Sequence, residues 1–195
     1  MSARDEVLRR VRSALGDERK PPPPVPRGYA RRSAEPRADV VALFTERVAE
    51  GGAAVRHVGA DELATAVAAA LWGREVKRIA VPADVPYGWL AELDGVRALA
   101  DSPPLDAAAL AAVDGVVTGC AAAIAPTGTV VLDGGRAQGR RALVLAAARH
   151  LCVVHADQIT ATVPEAVARL DPVRPLTWIT GPRGARGLEV LVVED

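Results

Sequence analysis

VVTGCAAAIAPTGTVVL, residues 116–132, is the stretch from which the rest of the chain is best read. Two apolar β-type runs, Val116-Val117 and 130–132, flank small residues that carry a Thr127-Gly128-Thr129 turn. A buried strand pair ordinarily fills such a space with β-branched or aromatic side chains. Here Gly119, Ala121, Ala122, Ala123 and Gly128 leave the backbone bare, so a ligand or another backbone can come close. A site, if the chain has one, is expected here.

Around this stretch the apolar periodicity alternates between helix and strand. Asp39 is read as the cap of a helix carrying Val40, Val41, Phe44, Val48 and Ala49, which Gly51-Gly52 ends. A strand over 53–58 follows, then a helix capped by Asp61 with Leu63, Ala64, Val67, Ala68 and Leu71 on its apolar face. The run 76–81 shows little alternation, the mark of a strand covered on both faces. A short strand over 96–98, a short helix over 105–113 and strands at 116–120, 129–132 and 151–154 come next. Thr162 caps a further helix with Pro164 in its first turn and Glu165 behind it. Strands at 177–180 and 188–193 complete the pattern.

Helix–strand alternation in the first half implies a parallel sheet with helices on both faces. The strands clustered between 116 and 154, with few helical signals, imply hairpins or a small antiparallel subsheet. The expected fold is α/β: a Rossmann-like three-layer fold with a mixed, mainly parallel sheet. Ligands of such sheets sit beyond the carboxyl ends of the strands, at the topological switch point. The loops after Val81, Cys120 and Thr180 are expected to open there.

At 195 residues, half of them apolar and with a formal net charge of zero, the chain reads as globular, with no overall pull toward nucleic acid or membrane. One Phe and two Tyr give little to stack on bases. Cys120 and Cys152 are too few for an iron–sulfur cluster or a structural zinc site, and they fit a reducing, cytoplasmic setting. No apolar run approaches the roughly 20 residues of a membrane span, and the N-terminus lacks the apolar core of a signal peptide.

Charge divides the chain unevenly. Residues 1–37 hold ten Lys/Arg against five Asp/Glu, and the remainder is acidic by the same margin. Val7, Val11 and Leu15, with Leu8 beside them, form one stripe on a basic helix over 1–16. A Pro-rich spacer over 17–36 separates it from an α/β domain over 37–195. The helix reads either as an arm for an acidic partner or as a solvated peripheral element.

Single residues constrain the chemistry further. His150 and His155 are five apart on a strand and point to opposite faces, while His57 ends another strand, so no metal site is read. Cys120 is a nucleophile candidate or a buried structural thiol, with no base near it in sequence. The loop from Asp133-Gly134-Gly135-Arg136 through Arg140-Arg141 suits a carboxylate or phosphate, or is a solvated hairpin tip. Gly181-Pro182 offers a turn whose N–H groups can receive an anion. No dinucleotide fingerprint or phosphate loop is present, and no cofactor is assigned.

In combination these segments resemble the lactate utilization protein C family, which shares the LUD domain. RDEVLRRVRSAL over 4–15 is similar to the family's N-terminal helix. Val117-Thr118-Gly119-Cys120, Ala122-Ala123-Ile124-Ala125 and Thr127-Gly128-Thr129 resemble its signature. Gly139-Arg140-Arg141-Ala142-Leu143, the run 150–154, Ala156-Asp157-Gln158-Ile159, the run 162–166 and Thr180-Gly181-Pro182 continue the series in order.

The resemblance implies a fold like that of sugar-phosphate isomerases and coenzyme A transferases. It also implies a role in oxidising L-lactate to pyruvate beside iron–sulfur partner proteins, as a subunit or accessory without redox ligands of its own. The expected site binds a small anionic metabolite with Gly119, Thr127, Gly128, Thr129, Arg141, Asp157, Gln158 and Gly181. In it Thr127 and Thr129 give hydroxyls, Arg141 pairs with a carboxylate and Asp157 orients a polar group or Gln158. A stand-alone isomerase or acyl/CoA-transferase-like enzyme, and a regulatory interaction module using the basic arm, are the alternatives.

Two departures from the family pattern stand out. Pro126 occupies the position that usually carries an acidic residue, so a carboxylate nucleophile or base is missing there. After Pro182 the chain passes through Arg183-Gly184-Ala185-Arg186 almost directly to Leu188, about a dozen residues short of the pattern.

Overall fold

Runs such as Arg78–Val81 and His150–His155 are apolar on both faces, and such strands are stable only when layers cover them on each side. The computed structural model describes residues 2–16, 24–26, 28, 31–72, 76–180 and 187–194. Its contacts divide it into two units, Met1–Ala30 and Arg31–Asp195. Most of the expected Pro-rich spacer, and the turn Gly181-Pro182 with the residues up to Arg186, lie outside the described residues.

The first unit contains α1 (Ala3–Leu15). Ser2 and Asp5 cap it reciprocally, and Gly16 ends it with a φ of 65°. None of its residues is buried, and the stripe of Val7, Leu8, Val11 and Leu15 is exposed.

In the second unit the elements run α2 (Arg37–Glu50), β1 (Ala54–Gly59), α3 (Leu63–Trp72), β2 (Arg78–Val81), β3 (Arg97–Ala100), α4 (Ala107–Ala111), β4 (Gly115–Thr118), β5 (Ala122–Ile124) and β6 (Thr129–Leu132). Then come α5 (Arg141–Ala146), β7 (His150–His155), β8 (Ile159–Thr160), α6 (Val163–Arg169), β9 (Thr177–Ile179) and β10 (Leu188–Glu194). The main sheet has the order β1-β10-β7-β4-β2-β3, and every described pairing in it is parallel. From β2 the chain steps outward to β3, then returns to the other side for β4, β7 and β10. The crevice between β2 and β4 is therefore the switch point of a doubly wound, Rossmann-like sheet.

The expected mixed sheet is in fact two sheets. The second has the order β8-β5-β6-β9, with β5–β6 and β6–β9 antiparallel and β5–β8 parallel. It packs Ala123, Ala125, Val130 and Leu132 with α2 against one face of the main sheet. Its outer face holds Ala122, Ile124 and Val131 under Ala166 and Leu170. On the other face of the main sheet, Leu63, Val67 and Leu71 of α3 cover Ile79, Val117, Val153 and Leu191. Phe44 anchors α2 with no exposure, a burial that contributes about 2–3 kcal/mol.

Three local expectations change. Helix α2 begins at Arg37 behind Pro36, so Asp39 lies in its first turn and not at its cap. The stretch after Asp133 is not a hairpin tip: it leads into α5, with Leu143 buried. Thr180 follows β9 of the second sheet, so its loop does not open at the carboxyl edge of the main sheet. Among the described residues no helix is long and apolar enough to cross a membrane.

Candidate functional site

The bare backbone of 116–132 is filled differently at its two glycines. Gly128, at φ +57°, lies against α2, and a Cβ there would stand 2.8 Å from the Arg47 carbonyl carbon and the Val48 nitrogen. Gly119 instead borders a cavity of about 400 Å³ at the carboxyl ends of β4 and β7. A Cβ on Gly119 would stand 3.3 Å from the Trp89 ring. Of the two possibilities that small residues allow, a second backbone occupies Gly128 and open space meets Gly119.

The cavity is built from segments far apart in the chain. The connection after β2 brings Pro86 and Trp89, and the end of β4 brings Gly119 and Cys120. The loop after β6 supplies Arg136 and Ala137; β7 and the 3-10 turn after it supply Val153, His155 and Gln158. Its position beside the switch point is where doubly wound sheets bind ligands. A groove of about 660 Å³ bordered by Trp72, Val76, Lys77 and Asp114 lies at the amino ends of the strands, away from that crevice.

Hydrogen bonds fix the walls. Gly119 N–H donates to Ala137 O at 2.7 Å, and Ala137 N–H donates to Asp84 Oδ2 at 3.1 Å. These bonds hold Ala137 at φ 58°, a left-handed conformation that costs an alanine about 1–2 kcal/mol. Strained backbone of this kind gathers at ligand sites. The Gln158 side chain spans the floor: Nε2 donates to Cys120 O at 2.9 Å, and Oε1 accepts from His155 N–H at 2.9 Å. Trp89 and His155 face each other with ring centroids 6.4 Å apart. Arg136 is exposed at the rim, and among the described residues it has no hydrogen-bond or ion-pair partner.

The residues expected to form one site are thus distributed. Gly119 and Gln158 line the cavity. Asp157 is exposed on the adjoining turn, with its carbonyl accepting from Arg169 Nη1 at 2.6 Å. Thr127 and Thr129 share a hydroxyl bond of 2.7 Å, and Thr129 makes another of 2.7 Å with Thr180. This ladder ties the β5–β6 turn to the end of β9. Arg141 starts α5 and borders a separate cavity of about 100 Å³ with Gly134, Gly139 and Thr177. Gly181 lies outside the described residues. Position 126 is exposed in the turn beside α2 and does not line the cavity, so a carboxylate there would not face it.

Sequence reasoning passed over Trp89, Arg136 as the free cation of its loop, and His150. Arg136 was readable as one of three guanidiniums, but only the fold separates it from Arg140, which is bound to Asp101. Behind Cys120, the fold brings His150 and Cys152 together with Thr118, a base that local sequence does not reveal. Cys152 is pushed down to about 5, first by the Cys120 thiol and then by His150 and Thr118, against the opposing effect of burial. Cys120 is pushed up by its neighbour and by burial.

A doubly wound sheet with an inserted four-stranded sheet and a crevice cavity defines an α/β protein of the LUD-domain class, and the LUD domain model matches residues 106–190. The chain is 41% identical to lactate utilization protein C of Deinococcus radiodurans, over 98% of its own length and 89% of the relative's. The crystal structure of a DUF162 family protein from Deinococcus radiodurans superposes with a TM-score of 0.73 at 45% identity, covering 82% of this chain and 99% of that one. The chain belongs to the lactate utilization protein C family.

Proposed function

We propose that this chain is a carboxylate-binding, non-redox subunit of a cytoplasmic system that oxidises L-lactate to pyruvate, acting beside iron–sulfur partner proteins. The relative named lactate utilization protein C supports the metabolic setting. The observation that carries the binding reading is the unpartnered Arg136 guanidinium at the mouth of the 400 Å³ cavity. A guanidinium holds a carboxylate through two parallel N–H donors. Trp89, Pro86 and Val153 supply the apolar wall that a short acyl chain needs, and Gln158 and His155 supply polar atoms for its oxygen substituent. The volume falls within the range of small-molecule sites and exceeds that of a three-carbon acid, leaving room for ordered water or a partner's group. Of the residues expected from sequence, Gly119 and Gln158 belong to this site; Thr127 to Thr129 and Arg141 would act from outside it.

Two measurements test the reading. Calorimetric titration with pyruvate and L-lactate is expected to show binding that Arg136→Ala weakens by about tenfold and Arg141→Ala leaves unchanged. In the reconstituted assembly, omitting this chain is expected to abolish lactate-dependent reduction of an artificial acceptor. An unchanged rate without the chain overturns the subunit role.

A further inference from the structure

Two thiols meet at the base of the cavity, and carboxylate binding uses neither. Cys120 lines the cavity wall and Cys152 lies behind it with no exposure. Strand pairing sets Cys152 beside Thr118. The Cys152 sulfur is 3.7 Å from Gly119 O, the carbonyl of the peptide bond that leads into Cys120. The Cys120 sulfur is 3.5 Å from Gln158 Oε1.

A base stands on the same face of β7. Thr118 Oγ1 donates its single proton to Gly119 O at 2.9 Å, so its 2.7 Å contact with His150 Nε2 makes that nitrogen the donor. Nδ1 is then the ring atom free to take a proton, and it is buried without a hydrogen-bond partner. A buried polar atom without a partner is costly unless it has a task. Its neighbour two residues along the same face is Cys152, to which it is electrostatically linked. Cys152 is accordingly the thiol disposed to ionise, and Cys120 the one that keeps its proton and faces the cavity.

We propose that Cys120 and Cys152 form a redox-active dithiol, oxidised to an intramolecular disulfide by a small hydroperoxide that enters the cavity. The Cys120 sulfur attacks the terminal oxygen of the hydroperoxide. The S–O bond forms as the O–O bond breaks, and the leaving alkoxide or hydroxide takes the Cys120 proton. The Cys152 thiolate then attacks the Cys120 sulfur. The S–S bond forms, the S–O bond breaks, and the departing hydroxide takes the proton held by His150 Nδ1. The two cysteines lose two electrons, and the hydroperoxide becomes an alcohol or water plus a second water. Because Cys120 donates toward Gln158 only as a thiol, oxidation also removes one tie in the cavity floor.

The test uses the full chain, reduced and then given one equivalent of hydrogen peroxide. Expected are a monomer lighter by about 2 Da, loss of both thiols to alkylation, and a Cys120–Cys152 linked peptide that dithiothreitol releases. Cys152→Ser is expected to stop at a Cys120 sulfenic acid that dimedone traps. His150→Gln is expected to slow disulfide closure about tenfold while that acid accumulates. Thiols that stay free, a crosslink only between chains, or over-oxidation of Cys120 without a crosslink each overturn the proposal. The mass and peptide map of the unmodified chain decide it even where a variant fails to fold.

Discussion

Gly128 and Val48 meet backbone to backbone, so that a Cβ on Gly128 would stand 2.8 Å from the Val48 nitrogen. The β5–β6 turn and α2 are thereby locked at a spacing that only glycine permits, and the same turn requires a φ of +57°. Gly128→Ala is expected to destabilise the fold by about 3 kcal/mol, from left-handed strain together with the displaced helix. Urea unfolding measures it, with the midpoint falling and the slope unchanged. A loss below roughly 0.5 kcal/mol would mean that α2 can give way.

Asp101 is the one carboxylate for which a pH dependence can be written from structure. Its oxygens accept from Arg140 Nε at 2.7 Å and Nη2 at 3.1 Å, and Oδ1 also accepts from Leu105 N–H at 2.7 Å. Arg140 above all holds the Asp101 carboxyl below its ordinary 3.8, with Leu105 assisting against burial. A carboxyl with a lowered folded pKa contributes its full stability above the unfolded value and loses it as pH falls through the folded one. Asp101→Asn is expected to cost about 1–3 kcal/mol at pH 7. The gap between the two proteins should narrow as denaturation curves are taken from pH 5 downward.

Glu165 joins a distant segment to α6. Its Oε1 accepts from Ser33 N–H at 2.9 Å, while Oε2 accepts from Ala161 N–H at 3.0 Å and Thr162 N–H at 3.3 Å. Glu165→Ala is expected to cost about 2 kcal/mol, combining a lost capping box with orphaned donors. Hydrogen exchange should show protection lost at Ser33 as well as at Ala161 and Thr162. If Ser33 exchanges at the same rate in both proteins, the bond from Glu165 does not hold that segment.

What could be read in the sequence followed from local chemistry. Thr162, Pro164 and Glu165 announce the start of α6 because a capping box is built from residues three apart. Ser2 and Gly16 bracket α1 for the same reason. Strand β5 escaped notice because Ala122 and Ala123 carry none of the β-branched signal and gain their place from α6 and the main sheet. Helix α5 escaped because Arg140 gives it no side-chain cap and Leu143 is its sole buried residue. Gly119 and Gly128 look alike in sequence, and only tertiary packing sends one to a helix and the other to a cavity. Trp89, Arg136 and Gln158 lie on three separate connections, so no spacing rule could gather them.

The central claim is that ligand binding belongs to the Gly119 side of the bare stretch and not to its Thr127–Thr129 side. An amide NMR titration with pyruvate tests it most directly, because glycine and alanine signals report both places at once. Shifts are predicted at Gly119, Ala137, Gln158 and the Trp89 indole, with Gly128 and Thr129 unmoved. Shifts centred on Gly128, Thr129 and Arg141, with Gly119 and Gln158 silent, would contradict it.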